Sequence, residues 1–310
     1  MSLNDFIQLT SLKRFQLTDV TLDFTNFIDE GAQGGVYKHI QDNQEYAIKI
    51  IDPESWEDEE EFYKDALWQT EIIHHINGNQ KCIHFYGYDI LDNKIIFIME
   101  LLNQSDDLSN YIERFLCNGV IKDYIGEQNS GRNKNISEYF TLDRDIKLKI
   151  IYDIMVSICE VHEKGIIHCD IKPPNIICYN IEGKVNTKLI DFGASLFSDE
   201  NSTLIETDFK HGTLGYSSPE DYQQYLIGKP SDIYSFGVTA IEIWCGDIWK
   251  SDDETFKSCR NEVLKMLRNI EKEELIIGTL LRKCICMDPY QRPTIQQLIK
   301  CFKDLKGIPN

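Results

Sequence analysis

The chain has 310 residues, of which 32 are basic and 51 acidic, for a formal net charge of −19. That excess of negative charge argues against binding through a nucleic-acid backbone, and the length allows one large domain or two small ones. No apolar run reaches the ~20 residues of a membrane helix, and no charged start leads into an apolar signal core, so the expectation is a soluble, intracellular, cytoplasmic protein. Ten cysteines are scattered through periodic segments instead of sitting at tight spacings, which favours reduced thiols. Cys284 and Cys286 have no His or second Cys pair at ligand spacing, and are expected to pack as small hydrophobes.

In chain order, the first patterned segment is Ile28-Asp29-Glu30-Gly31-Ala32-Gln33-Gly34-Gly35-Val36. Glycines let backbone amides approach a phosphate closely, and the same residues also suit a plain β-turn. Tyr46-Ala47-Ile48-Lys49 reads as a strand. The acid-rich run from Asp52 to Glu61 reads as a solvated loop entering a helix. From Glu61 to Ile76, apolar residues at Phe62, Ala66, Leu67, Ile72, Ile73 and Ile76 recur with roughly helical period. Ile95 to Leu102 reads as a buried strand, far too short to cross a bilayer. Cys117 to Glu138 is polar, with Gly126, Ser130 and Gly131, and is expected to be a loop insertion. Ile146, Ile150, Ile154, Ile158 and Val161 mark one face of a helix that Gly165 can close. Asp232 to Trp244 is apolar on most sides, as an enclosed helix is.

The chemistry gathers in His168-Cys169-Asp170-Ile171-Lys172-Pro173-Pro174-Asn175, followed by Asp191-Phe192-Gly193. These segments supply a carboxylate to accept a proton, a lysine to neutralise phosphate, and an amide and an acid to hold a metal. Their order and spacing resemble the catalytic and metal-binding loops of the eukaryotic protein kinases. Other segments agree. Residues 28–36 resemble G-x-G-x-x-G-x-V, with Asp29 at the first glycine. Residues 46–49 resemble V-A-I-K, Ser217-Ser218-Pro219-Glu220 stands where A-P-E does, and Asp288 to Pro293 carries Arg292. The resemblance runs from about Phe24 to about Leu305.

The resemblance implies an α+β, bilobal fold. An N-lobe of about residues 24–100 holds a small antiparallel sheet and one helix. A hinge follows at about 100–103, then a larger, mainly helical C-lobe at about 104–305, and residues 1–23 form a lead segment. It implies ATP and Mg²⁺ as cofactors, and a protein substrate with a serine or threonine acceptor. Lys49 reaches the α- and β-phosphates and pairs with Glu71. Ile28, Asp29, Gly31, Gly34, Val36, Ala47, Met99 (as gatekeeper), Glu100, Leu102 and Ile177 surround the nucleotide. Asp170 takes the acceptor proton, Lys172 stabilises the transferring phosphoryl, Thr213 contacts both, and Asn175 with Asp191 holds Mg²⁺. Asp232 anchors the catalytic loop, Glu220 pairs with Arg292, and His168 supports Phe192 and Asp170 by packing. Lys172 and Gly212-Thr213 together resemble the serine/threonine type.

Three departures stand out. Cys169 occupies the arginine position of H-R-D, so phosphate on the activation segment lacks its usual partner, and activity independent of Ser195, Ser198, Ser202, Thr203 and Thr207 is expected. Asp29 either repels the nucleotide or points to solvent. Pro174 removes an acidic contact, so no basic-directed substrate motif is expected. Two other readings stay open: a pseudokinase acting as a nucleotide-binding or scaffold module, and a kinase of small molecules. The sequence leaves the oligomeric state undetermined.

Overall fold

The computed structural model describes residues 1–18, 20, 25–31, 34–102, 105–113, 142–246 and 255–305. The polar stretch Cys117 to Glu138 therefore lies outside the described residues. The chain forms two compact units: Met1–Asn103 with Asp191–Ser195, and Gln104–Ile190 with Leu196–Asn310.

The first unit is built on five antiparallel strands: β1 (Phe27–Gly31), β2 (Gly34–Gln41), β3 (Gln44–Ile51), β4 (Phe85–Leu91) and β5 (Lys94–Glu100), in the order β1-β2-β3-β5-β4. Two hairpins are closed by two-residue turns, Asp42-Asn43 and Asp92-Asn93, with all four φ values between 49° and 64°. Asp and Asn tolerate this left-handed region, and the resulting twist matches that of the flanking strands. Register then sorts the side chains. Val36 faces Lys49, Ala47 faces Met99 and Lys49 faces Phe97, so these residues share one face. Tyr46, Ile48, Ile50, Ile96 and Ile98 line the other face as a buried cluster.

Helix α1 (Leu3–Leu9) and helix α2 (Glu59–Ile76) complete this unit. Asp58 caps α2 through the Glu60 amide at 2.7 Å. Glu59, Glu60 and Glu61 fill its first turn, where the helix dipole favours negative charge. The acid-rich run thus serves as a helix start.

The second unit is mainly helical, as its periodicity predicts. It holds α3 (Arg144–Glu163), α4 (Pro219–Gln224), α5 (Lys229–Cys245), α6 (Phe256–Glu273), α7 (Leu275–Cys284) and α8 (Ile295–Lys303). A small sheet has the order β6 (Ser105–Asp107), β8 (Ile176–Ile181), β9 (Lys184–Leu189). Two short ribbons pair β7 (Ile166–Ile167) with β10 (Leu196–Phe197), and β11 (Ile205–Glu206) with β12 (Leu226–Ile227). Every residue of α5 from Ser231 to Trp244 is buried, which explains its all-round apolar sequence. Among the described residues, no helix is long and apolar enough to cross a membrane, and the cysteines form no disulfide.

Candidate active site

In the second unit the catalytic loop hangs from α5. Asp232, buried near the start of that helix, accepts from the His168 amide at 2.8 Å and from the Cys169 amide at 2.9 Å. The His162 ring lies 2.8 Å from the same carboxylate. These bonds hold Cys169 at φ 69°, a left-handed conformation that costs a residue with a Cβ ~1–3 kcal/mol unless its surroundings enforce it. The Cys169 side chain is buried, and burial pushes its thiol pKa well above the ordinary range, with the Asp232 charge adding to the effect. Both ring nitrogens of His168 are engaged with backbone. Nδ1 accepts from the Asp170 amide at 3.3 Å, which leaves Nε2–H to donate to the Ile190 carbonyl at 3.0 Å. His168 thus braces the loop through backbone hydrogen bonds to Asp170 and Ile190, where packing was expected.

The loop's working groups converge. Thr213 Oγ1 donates to Asp170 Oδ1 at 2.8 Å, and Lys172 Nζ donates to Thr213 Oγ1 at 2.6 Å. Lys172 Nζ also stands 2.9 Å from Asp170 Oδ2. Asn175 Nδ2 donates to both the carbonyl and Oδ2 of Asp170, at 2.8 and 2.9 Å. The backbone just beyond β9 is tied in as well, since the Ile190 amide donates to the Asn175 carbonyl at 3.0 Å. A carboxylate, an ammonium, a hydroxyl and an amide therefore form one hydrogen-bonded cluster, held by the loop, the 3₁₀ turn Pro173–Asn175 and the segment before α4.

That segment is fixed from behind. Glu220 and Arg292 form a bidentate pair, both bonds 2.7 Å, with side chains 3% and 0% exposed. Burial raises the Glu220 pKa, but the Arg292 hydrogen bonds and charge more than offset it and hold the carboxyl below its usual value. The Tyr216 hydroxyl donates to Glu242 at 2.6 Å, and Ser235 Oγ donates to the Tyr216 carbonyl at 2.9 Å. Upstream, the β7–β10 and β11–β12 ribbons hold the segment through backbone bonds, and Asp221 Oδ1 accepts from the His211 amide at 2.9 Å.

In the first unit, Lys49 Nζ donates to Asp191 Oδ1 at 2.8 Å. Among the described residues no ion pair joins Lys49 to Glu71, its expected partner. Glu71 instead accepts from Ser11 Oγ at 2.6 Å. The α2 acid within the field of Lys49 is Asp65. Burial raises its pKa, while the Gln69 hydrogen bond (2.7 Å) and the Lys49 charge lower it, and burial wins. A signal for this was present in the sequence. Asp65 stands three residues after Phe62, four before Gln69 and seven before Ile72, so it shares their buried stripe, whereas Glu71 does not.

The remaining candidates are placed as follows. Ile28 and Asp29 are exposed on β1, with Asp29 opposite Val36. Gly31 and Gly34 close the β1–β2 hairpin. At Gly34, with φ 145°, a Cβ would stand 1.8 Å from the Ile50 carbonyl oxygen, so glycine is required there. Glu100 ends β5, its amide donating to the His84 carbonyl at 2.9 Å, and Leu102 follows two residues later. Ile177 lies on β8 of the second unit. No group of three His, Cys, Asp or Glu side chains suited to a metal occurs among the described residues. Asn175 in the second unit and Asp191 in the first each carry an oxygen, of an amide and of a carboxylate, of the hard kind that Mg²⁺ takes.

A family model of the protein kinase domain matches residues 23–301. A probable leucine-rich-repeat receptor-like serine/threonine-protein kinase of Arabidopsis thaliana is 26% identical over 94% of this chain and 28% of its own length. A probable serine/threonine-protein kinase of Dictyostelium discoideum is 28% identical over 97% of this chain and 17% of its own. Phytosulfokine receptor 2 of Arabidopsis thaliana is 28% identical over 90% of this chain and 26% of its own. The chain thus spans less than a third of the length of these relatives.

Proposed function

The chain belongs to the protein kinase family, and on that premise we propose that it transfers the γ-phosphoryl of Mg-ATP to a serine or threonine hydroxyl of a protein. The observation that carries this reading is the Asp170–Lys172–Thr213–Asn175 cluster. Asp170 orients the acceptor hydroxyl and takes its proton, help of a kind worth ~10²–10⁴ in rate. Lys172 sits on the transferring phosphoryl as its charge develops, and Thr213 keeps the lysine and the carboxylate in one geometry. Asn175 and Asp191 are the residues that would hold Mg²⁺, which supplies neutralisation of the phosphate charge.

Lys49 neutralises the α- and β-phosphates, and Asp65 supports it from α2 through its field. Adenine packs on the Val36, Ala47 and Met99 face of the sheet, and Glu100 and Leu102 offer it their backbone groups. The names of the relatives support serine or threonine as acceptor. Cysteines without disulfides among the described residues support a reducing, cytosolic setting for this domain.

The test is incubation with Mg²⁺ and labelled ATP, with and without a generic basic protein, with Asp191→Ala as control. Label on serine or threonine of the protein, lost in the control, is the expected result. Nucleotide binding with no transfer would replace this reading with a binding module, and transfer only to small alcohols would replace it with a small-molecule kinase.

A further inference from the structure

Residues 2–17 precede the match to the family model, which begins at residue 23, yet they are built into the first unit. Ser2 and Asp5 cap α1 reciprocally. Phe6, 0% exposed, lies edge-on to Tyr88 of β4 with ring centroids 5.4 Å apart, and 6.4 Å from the ring of Tyr63 on α2. Beyond α1, Ser11 reaches Glu71 on α2. The chain then runs beside β4: the Tyr88 amide donates to the Lys13 carbonyl at 3.1 Å and the Phe15 amide to the Tyr88 carbonyl at 2.7 Å. Arg14 Nε and the Leu17 amide both bind the Asp89 carboxylate, at 3.2 and 2.8 Å.

This approach needs Gly87. Its φ is 152°, and a Cβ there would stand 2.2 Å from the Lys13 carbonyl oxygen. Phe15 and Leu17 then cover the sheet face opposite Lys49. The segment therefore meets helix α2 at Tyr63 and Glu71, which bracket Asp65, while the Met1 ammonium adds an exposed ion pair to Glu60 at 3.0 Å. Asp65 meets Lys49 through its field and not by a hydrogen bond, so its effect depends on where α2 stands.

We propose that residues 2–17 form a strap that sets the position of α2, and that Phe6 and Ser11 are positioning residues for Lys49, acting through Asp65. This rests on the reading of Lys49 as the phosphate-binding lysine. The experiment compares the full chain with Phe6→Ala and Ser11→Ala. It measures amide hydrogen exchange across α2, and kcat and KM for ATP.

Exchange in α2 is expected to rise about tenfold in Phe6→Ala and less in Ser11→Ala, while α5 stays unchanged. kcat is expected to fall about tenfold and about threefold respectively, the latter the size of one lost surface hydrogen bond. Phe6→Leu and Ser11→Thr should recover most of the loss. In an Asp65→Asn background neither strap substitution should cost further activity, because both act through the same group. Unchanged α2 exchange in both variants, or equal kcat losses with and without Asp65, would overturn the proposal. If Phe6→Ala fails to fold, Ser11→Ala decides by the same two readings. A parent chain that transfers no phosphoryl would sink the kinase reading alone, because exchange still judges the strap's hold on α2.

Discussion

Replacing Arg292 by alanine leaves the Glu220 carboxylate buried without its partner. The guanidinium now makes two 2.7 Å bonds to Glu220, donates to the carbonyls of Pro230 and Cys286, and lies 5.1 Å from the Tyr234 ring centroid. Removing one side of such a pair costs ~3–5 kcal/mol, mostly as the uncompensated charge. For a unit of roughly two hundred residues that corresponds to a fall of about 10 °C in the melting midpoint of the second unit. Calorimetry of the full chain reads it.

The pH dependence carries the diagnostic sign. In the parent, the Glu220 value lies below 4.5, so the pair stabilises the fold above that pH and loses this contribution as pH falls through the folded value. In Arg292→Ala the guanidinium is gone, while burial, the largest influence on Glu220, acts against only the hydrogen bonds from Ser218, Ser231 and backbone, so the folded value moves up and the cost is relieved as pH falls. The gap between variant and parent should therefore narrow as pH falls from neutral toward 4.5. Neighbouring Asp221, raised to about 6 by burial with the Glu220 charge adding to the effect, gains stability in the same direction as pH falls in both proteins. Adding Glu220→Gln to Arg292→Ala should make the gap independent of pH. A midpoint lowered by under about 2 °C, or a gap that ignores pH, would refute the argument.

Three further expectations follow from the site. Asp170→Asn should lower kcat by ~10²–10⁴ in steady-state assays while leaving the KM for ATP close to the parent value. Asp65→Asn should lower kcat/KM for ATP about tenfold, whereas Glu61→Gln, at the exposed start of the same helix, should leave it within about twofold. Alanine at Ser198, Ser202, Thr203 and Thr207 together should leave transfer within about threefold of the parent, because the ribbons hold the segment through backbone. A collapse of activity there would show that phosphate on the loop is needed after all.

What the sequence made legible was whatever it kept local. Asp170, Lys172 and Asn175 lie within six residues, so one turn of loop and one 3₁₀ turn must bring them together, and their spacing already says so. The buried stripe of α5 was legible for a similar reason: a helix apolar on most sides has few places to go. The partner of Lys49 was harder to read. Several acids crowd α2, and only the phase of the helix separates Asp65, in line with Phe62 and Gln69, from Glu71. The strap could not be read at all. Its contacts join Ser11 to Glu71, 60 positions apart, and Leu17 to Asp89, 72 apart, and no local period or motif announces a tertiary pairing of that range.

The buried thiol of Cys169 gives the catalytic loop an unusual chemical indifference. Only the deprotonated sulfur attacks electrophiles or peroxide, and this one is kept protonated and out of water. Alkylating reagents and mild oxidants will spend themselves on outward-facing sulfur such as Cys301 before they touch the residue beside the catalytic carboxylate. An inhibitor that relies on covalent capture will find no handle there, and oxidative stress will leave the loop as it was.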